Sequence, residues 1–183
     1  SRVPLLVDLL PAGRFLMDDL HRAGGLLAVL REVRDLLDPT SRRWQDDEVV
    51  VVDDASPDDT LARLSQVQGV RVVARASNGG FIAACNAGAE AARGDVLVFL
   101  NNDTVPQPGW LDALLDTFDT HPGTGLAGAQ LLYPDGRLQE AGGVVFSDGS
   151  AWNYGRFAAP DDPRFAYVRE ADYVSGAAIA IPR

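Results

Sequence analysis

The feature that most constrains the fold is a repeated alternation of short apolar runs with amphipathic segments, which begins at Glu48. Glu48 opens the run "EVVVV", and unbroken β-branched runs are typical of strands covered on both faces. Similar runs occupy residues 70–74 and 95–100, and a segment with helical periodicity follows each run. Because crossovers between parallel strands are right-handed, this order predicts an α/β fold, a mostly parallel sheet flanked by helices.

Capping signals give the expected helix boundaries. Ser56 is predicted to cap the first helix, which Gly69 ends. The second helix is predicted to start at Asn78 and to close at Gly94, and the third covers residues 108–123.

The segments on either side of these units have different patterns. Residues 1–47 contain an apolar run and a helical pattern whose layout the sequence leaves open, while residues 48–124 hold the β-α units. Residues 125–183 carry the turn signals "PDG" and "SDG" between short alternating pieces, which predicts a hairpin-rich part. With 183 residues and 46% apolar content, the chain can bury one full core, so we expect a single domain overall.

Composition excludes several functions. The 16 basic residues against 26 acidic ones argue against nucleic acid as a partner. All the basic residues are arginine, so the chain has no Walker lysine and no Schiff-base lysine. Two histidines and one cysteine support neither a histidine-rich metal site nor an internal disulfide. Since no apolar run approaches the roughly 20 residues of a membrane span, we expect no transmembrane segment and a cytoplasmic location.

Polar residues follow two of the predicted strands where each strand ends. Asp53 and Asp54 follow the first, and Asn102 and Asp103 follow the third. Ligands of open α/β sheets bind at the carboxyl edge, so these acidic ends are expected to be neighbours there and to share a cation with a phosphate. Mg²⁺ or Mn²⁺ needs few protein carboxylates when phosphates supply the other oxygens. The alternative, that "NND" is an ordinary turn, stays open.

The segment "SNGGF" adds a second candidate contact. It places Asn78, Gly79 and Gly80 at a predicted helix start, where free N–H groups and small side chains allow close approach of an anionic or polar ligand. A simple helix cap explains the same residues. Asn86 lies off the apolar face of that helix, where it is either solvated or directed at the site.

Three segments in succession carry a resemblance to a known family. "VVVVDDASPDDT", "NGGFIAACNAGAEAARGDVLVFLNNDTVPQPGWLDALL" and "YVSGAAIAIPR" together resemble the inverting family 2 glycosyltransferases of the GT-A fold. The resemblance covers residues 48–183. The segment "LLYPDGRLQEAGGVVFSDGSAWNYGR" is similar to members that build bacterial O-antigen and other cell-surface polysaccharides.

The resemblance implies a nucleotide-diphosphate sugar as donor and a saccharide or lipid-linked saccharide as acceptor. It implies that Asp103 is the ligand of Mg²⁺ or Mn²⁺, and that the donor contacts these residues: Asp53, Asp54, Ser56, Arg75, Asn78, Gly80, Asn86 and Asn102. In the family, the acidic catalytic base follows the strand that corresponds to "SGAAIAI" here, so we expect the base beyond Arg183. The resemblance also implies a protein that is cytoplasmic or peripheral at the inner face of the membrane. The residues also leave open a non-catalytic interaction domain within a larger polysaccharide-assembly protein, whereas the absence of lysine disfavours a nucleotidyltransferase.

Overall fold

The structure, a computed structural model, describes residues 4–9 and 48–183. The contacts divide the chain into two compact units, one formed by Ser1–Gly109 with Ile181–Arg183 and the other by Trp110–Ala180. The helical pattern predicted near residues 26–37 lies outside the described residues. Among the residues that are described, no helix is both long enough and apolar enough to span a membrane.

The first unit contains a parallel sheet. Its strands are β1 (Pro4–Leu9), β2 (Glu48–Asp53), β3 (Val70–Ala74) and β4 (Val96–Asn101). They lie in the order β3-β2-β1-β4, and every pairing between them is parallel. The predicted parallel sheet and the positions of its strands are therefore confirmed.

Burial explains why the β-branched run forms a central strand. Val50, Val51 and Val52 are all buried, although successive side chains of a strand point to opposite faces. Val50 and Val52 pack with Ala84 of the helix α2 (Gly80–Ala91). The small side chains of α2 let the helix backbone approach the sheet closely.

The first predicted helix is shorter than expected. Helix α1 covers only Thr60–Leu64, and Asp59 occupies its N-cap position without a side-chain bond. The prediction that Ser56 caps this helix was wrong, because the Ser56 N–H donates to Asp53 Oδ1 at 3.3 Å within a turn that follows β2. Asp58 Oδ1 instead accepts the Thr60 N–H at 3.0 Å.

The second unit begins with a helix and continues in short strands. Its elements are α3 (Trp110–Thr120), β5 (Ala127–Gly128), β6 (Leu131–Leu132), β7 (Leu138–Glu140), β8 (Gly143–Val145) and β9 (Ala151–Asn153). The strand β10 (Ala178–Pro182) pairs antiparallel with β5. β6 with β7 and β8 with β9 form antiparallel hairpins, which confirms the hairpin-rich part.

Candidate functional site

The carboxyl ends of the four parallel strands meet at one edge of the first unit. In the register of the sheet, Leu9 of β1 lies beside Asp53, Asp53 beside Ala74, and Asp8 beside Asn101 of β4. The predicted ligand edge therefore forms from these strands. However, β1 lies between β2 and β4. The acidic ends of β2 and β4 are therefore not neighbours, contrary to the expectation from the sequence.

Asp54 is the most strongly bound carboxylate at this edge. Its side chain is only 1% exposed and accepts N–H bonds from Gly79 (3.1 Å to each oxygen) and Gly80 (2.7 Å to Oδ2). The Arg75 guanidinium donates to Oδ1 and forms an ion pair with it. A carboxylate has about four lone-pair positions, and three donors of the chain itself bind here, with the Gly79 N–H shared between the two oxygens. Asp54 is thus held on both oxygens by its own chain.

The charge state of Asp54 follows from these contacts. Burial alone raises the pKa of Asp54, but the N–H bonds from Gly79 and Gly80 and the positive charge of Arg75 outweigh burial. The pKa of Asp54 is consequently held below its ordinary value of 3.8. Asp54 is ionised at neutral pH and fixes the N-terminus of α2, where a negative charge also interacts favourably with the helix dipole.

This arrangement corrects one prediction about the helix start. The N–H groups of Gly79 and Gly80 were expected to be free for an anionic ligand, but both donate to Asp54. Gly80 has a φ of 78°, which favours glycine. A Cβ added at Gly79 would lie 2.5 Å from Arg75 Nη1 and 2.9 Å from Ala83 Cβ, so a larger residue there would have to displace Arg75.

Asp53 and Ser56 form the turn that carries the chain away from the sheet. Asp53 is buried, its Oδ1 accepts the Ser56 N–H, and its carbonyl oxygen accepts the Arg75 N–H at 2.9 Å. Ala55, between Asp54 and Ser56, has a φ of 60°, which is unusual for a residue with a side chain. Backbone strain of this kind is concentrated at functional sites.

Asp103 differs from the other two aspartates because its carboxylate is exposed. β4 ends at Asn101, whose carbonyl oxygen accepts the Thr104 N–H at 3.3 Å and the Thr104 hydroxyl at 2.6 Å. This turn presents half-buried Asn102 and exposed Asp103 at the sheet edge. The "NND" segment is therefore a turn, and Thr104, which sequence reasoning missed, stabilises it.

The donor set at this turn fits a hard divalent cation of the kind the family implies. Within the described residues no hydrogen bond or ion pair occupies the Asp103 carboxylate. Where side chains are described, no group of three or more His, Cys, Asp or Glu could hold a metal by itself, so a cation at this edge would need oxygens from its ligand as well. One carboxylate with phosphate oxygens still meets the needs of Mg²⁺ or Mn²⁺.

Two of the three predicted asparagine contacts, Asn78 and Asn86, are exposed. Asn78 precedes α2 at the sheet edge, beside the N–H groups that Asp54 accepts. Asn86 lies six residues beyond the first residue of α2, or about 9 Å along its axis, with its side chain solvated. Asn78 is thus placed at the edge, whereas Asn86 lies further along the helix.

The carboxylates of the second unit make structural hydrogen bonds. Glu140 is buried, and its Oε1 accepts the Ser175 N–H at 2.7 Å. Asp172 Oδ2 accepts the Val145 N–H at 2.8 Å, and Asp148 Oδ1 accepts the Ser150 N–H at 2.9 Å. Asp148 thus serves a turn and Asp172 a surface contact, whereas Glu140 is buried in β7.

Comparison with known proteins identifies the family. The sequence pattern described as "Glycosyl transferase family 2" matches residues 21–171, most of the chain. The chain belongs to glycosyl transferase family 2. The O-antigen biosynthesis protein RfbC of Myxococcus xanthus is 45% identical over 67 residues, which are 36% of this chain and 5% of that protein. The protein y4gI of Sinorhizobium fredii is 36% identical over 121 residues, which are 63% of this chain and 13% of that protein.

Solved structures establish the fold of this family 2 chain. The mannosyltransferase PcManGT of Pyrobaculum calidifontis, in complex with GDP-Man and Mn²⁺, superposes with a TM-score of 0.52 at 22% identity. The match covers 73% of this chain and 36% of that chain. The chain thus has the GT-A glycosyltransferase fold. It spans only a small part of the curated relatives it matches.

Proposed function

We propose that this chain is the donor-binding part of an inverting glycosyltransferase that acts in the synthesis of a cell-surface polysaccharide. The donor would be a nucleotide-diphosphate sugar, and the acceptor a saccharide or a lipid-linked saccharide. Family membership supports the reaction class. The likeness to an O-antigen biosynthesis protein supports the polysaccharide, and the Mn²⁺ and GDP-Man complex of a protein with the same fold supports the donor.

The observation that carries the proposal is the exposed Asp103 carboxylate at the carboxyl edge of the sheet. Asp103 would hold Mg²⁺ or Mn²⁺, which as a Lewis acid would stabilise negative charge on the departing diphosphate. Asn102 would lie beside the ribose or the donor sugar. Arg75 would contact the nucleotide from the end of β3, with its guanidinium oriented by Asp54. We propose a single displacement with inversion, in which a base outside these residues deprotonates the acceptor hydroxyl.

Thermal unfolding with UDP, GDP and dTDP, with and without MnCl₂, tests the proposal. A ligand at about a hundred times its dissociation constant stabilises by about 2.7 kcal/mol, which raises the midpoint of a domain of this size by about 5–11 °C. We expect at least one nucleotide to stabilise the chain only when MnCl₂ is present. Because the chain spans only a small part of its relatives, we expect little sugar transfer by the chain alone.

Two variants distinguish the loss of the proposed metal ligand from the loss of any exposed carboxylate. Asp103→Ala should abolish the part of the stabilisation that depends on MnCl₂. Asp95→Ala is the matched control, because Asp95 is also exposed and precedes β4 at the opposite edge of the sheet. A manganese effect that survives in Asp103→Ala would contradict the assignment of Asp103. If no nucleotide changes the unfolding temperature, the alternative of a non-catalytic interaction domain is favoured.

A further inference from the structure

A cluster of aromatic and arginine side chains lies on the surface of the second unit. We call it the arginine–aromatic cluster, and its members are Tyr133, Arg137, Trp152, Arg156 and Phe157. The rings of Tyr133 and Phe157 are stacked with centres 5.4 Å apart. The guanidinium carbon of Arg156 lies 4.9 Å from the centre of Phe157 and 5.6 Å from that of Trp152. The guanidinium carbon of Arg137 lies 5.0 Å from the centre of Phe157.

The backbone holds this cluster in place. The Phe157 N–H donates to the Leu138 carbonyl at 2.8 Å, and the Leu138 N–H donates to the Ala158 carbonyl at 2.8 Å. These bonds tie the segment around Phe157 to β7. Phe157 itself has a φ of 69°, a left-handed conformation that is rare for a bulky residue. Phe157 is 49% exposed, so the strained backbone holds its ring at the surface and not in the core.

The charge of Arg156 is not neutralised by the cluster. Arg137 is paired with Asp135 at 2.7 Å, whereas Arg156 Nε donates to the neutral Tyr133 hydroxyl at 3.1 Å. Within the part of the chain that the structure describes, no carboxylate lies within ion-pair distance of Arg156. An unpaired guanidinium is therefore exposed on a protein whose net charge is −10.

Two features of the cluster indicate the chemistry of its ligand. A guanidinium is suited to bidentate recognition of a carboxylate or a phosphate. Trp152 is 55% exposed and offers a flat apolar surface, on which the C–H face of a sugar ring can pack. Nucleic acid, a long polyanion, would be repelled by the acidic remainder of the chain.

We propose that the arginine–aromatic cluster binds a saccharide that carries a negatively charged group, either a carboxylate or a phosphate. Arg156 pairs with the charged group, and Trp152 packs against the sugar ring. The proposal rests on the proposed function in one respect. If the chain is part of a glycosyltransferase, the bound saccharide is the acceptor or the growing polysaccharide. Binding at the cluster needs no nucleotide, so the two proposals fail separately.

Calorimetric titration of the full chain with two matched pairs of sugars tests the cluster. The first pair is cellobiose and cellobiouronic acid, and the second is trehalose and trehalose 6-phosphate. Because hydrogen bonds to charged groups are the stronger ones, we expect the charged member of at least one pair to bind more tightly by about tenfold or more. The affinity should fall as NaCl is added. The pair that discriminates identifies the group as carboxylate or phosphate.

Arg156→Gln should remove the discrimination between charged and neutral sugars, and Trp152→Ala should weaken binding of both. Arg164→Gln is the matched control, since Arg164 also lies over an aromatic ring, at 5.3 Å from the centre of Phe165, but is paired with Asp162 at 2.7 Å. The control should bind as the unchanged chain does. Thermal midpoints of all variants establish that they are folded, and the salt dependence of the unchanged chain tests the charge without any substitution.

Three results would overturn the proposal: equal affinity for the charged and neutral sugars, discrimination that persists in Arg156→Gln, or an acidic peptide of equal charge that binds as tightly as the sugars. Nucleotide-dependent stabilisation is measured in the same variants and should not change. A chain that binds the charged sugars but no nucleotide contradicts only the donor function. A chain that binds nucleotide but does not distinguish the sugars contradicts only the cluster.

Discussion

Asp54→Asn tests whether the buried carboxylate organises the edge of the sheet. The substitution keeps the shape of the side chain but replaces one acceptor oxygen with an NH₂ group, which faces donors from Gly79, Gly80 or Arg75. At least one buried donor loses its partner, and the ion pair with Arg75 is lost. Leaving a buried donor unsatisfied costs about 1–3 kcal/mol, and a hydrogen bond to a charged group contributes about 1.5–3 kcal/mol.

We therefore expect Asp54→Asn to lower the free energy of unfolding by about 2–4 kcal/mol. This is less than the two contributions added together, because the Arg75 side chain is 23% exposed and its ion pair with Asp54 is partly screened. Asp54→Ala, which leaves every donor unpaired, should cost about 3–5 kcal/mol. Guanidinium chloride unfolding followed by circular dichroism measures both. Hydrogen exchange of the Gly79 and Gly80 amides should also accelerate, because the same bonds protect them.

Asp58→Asn provides the control, since Asp58 is exposed and accepts a single backbone bond, from the Thr60 N–H. Its cost should stay below about 1 kcal/mol. The reasoning is refuted if Asp54→Asn is no more destabilising than Asp58→Asn. It is also refuted if the amides of Gly79 and Gly80 remain as protected as in the unchanged chain, because Asp54 would then not hold the start of α2.

Other perturbations probe the same units. The folded-state pKa of Asp54 lies below 3.8, so the stability that its charge contributes is fully present above pH 3.8 and is lost as the pH falls through the lower folded value. The difference in unfolding free energy between the unchanged chain and Asp54→Asn should therefore be constant at neutral pH and shrink below pH 3.8. Gly143→Ala should lower the free energy of unfolding by about 1–3 kcal/mol, because the new methyl group would overlap the ring of Tyr173. Gly125→Ala is the control and should be nearly neutral, since no atom lies within 4 Å of the added methyl group. Guanidinium chloride unfolding measures both. Gly80→Ala should cost about 1–2 kcal/mol, measured as a lower thermal midpoint, because its φ of 78° is unfavourable for alanine.

Asp54 also changes how donor binding by this family 2 chain is understood. The family resemblance implied that Asp54 contacts the nucleotide-sugar donor. In the structure its carboxylate is buried and already binds Gly79, Gly80 and Arg75, so a ligand would have to reach past these groups. The exposed residues at the same edge, Asn78 and Asp103, are open to a ligand without that obstruction. Direct contact of Asp54 with the donor remains a prediction, and its role in orienting Arg75 and α2 follows from the geometry.

Local pattern predicted most of the β-α succession. The run "EVVVV" became a central strand because β-branched side chains fit a pleat that is covered on both faces. The tripeptides "PDG" and "SDG" became hairpin turns, with Gly136 and Gly149 at φ values of 84° that only glycine adopts readily. These features depend on neighbours in the sequence, which is why the sequence was sufficient to predict them.

The start of the first helix could not be predicted in this way. The segment from Ser56 to Asp59 has the spacing of a capping box, yet the Ser56 N–H bonds to Asp53 and the helix begins at Thr60. The hydrogen bond to a strand-end carboxylate competed with the local cap. The contacts of Asp54 could not be predicted either, because its partners lie more than 20 residues away in the sequence.

The sequence by itself determined the family, the parallel strands, the hairpins and the residues that reach the sheet edge, because all of these follow from short-range patterns of polarity and backbone preference. Only the tertiary structure decided which of those residues are committed to the chain itself and which are exposed to a ligand. Asp53, Asp54 and Asp103 look alike as acidic residues at strand ends, but β1 separates the last from the first two, and only the Asp103 carboxylate is left exposed. The physical reason is that hydrogen bonding of a buried charge depends on donors brought from distant parts of the chain, which no local pattern specifies.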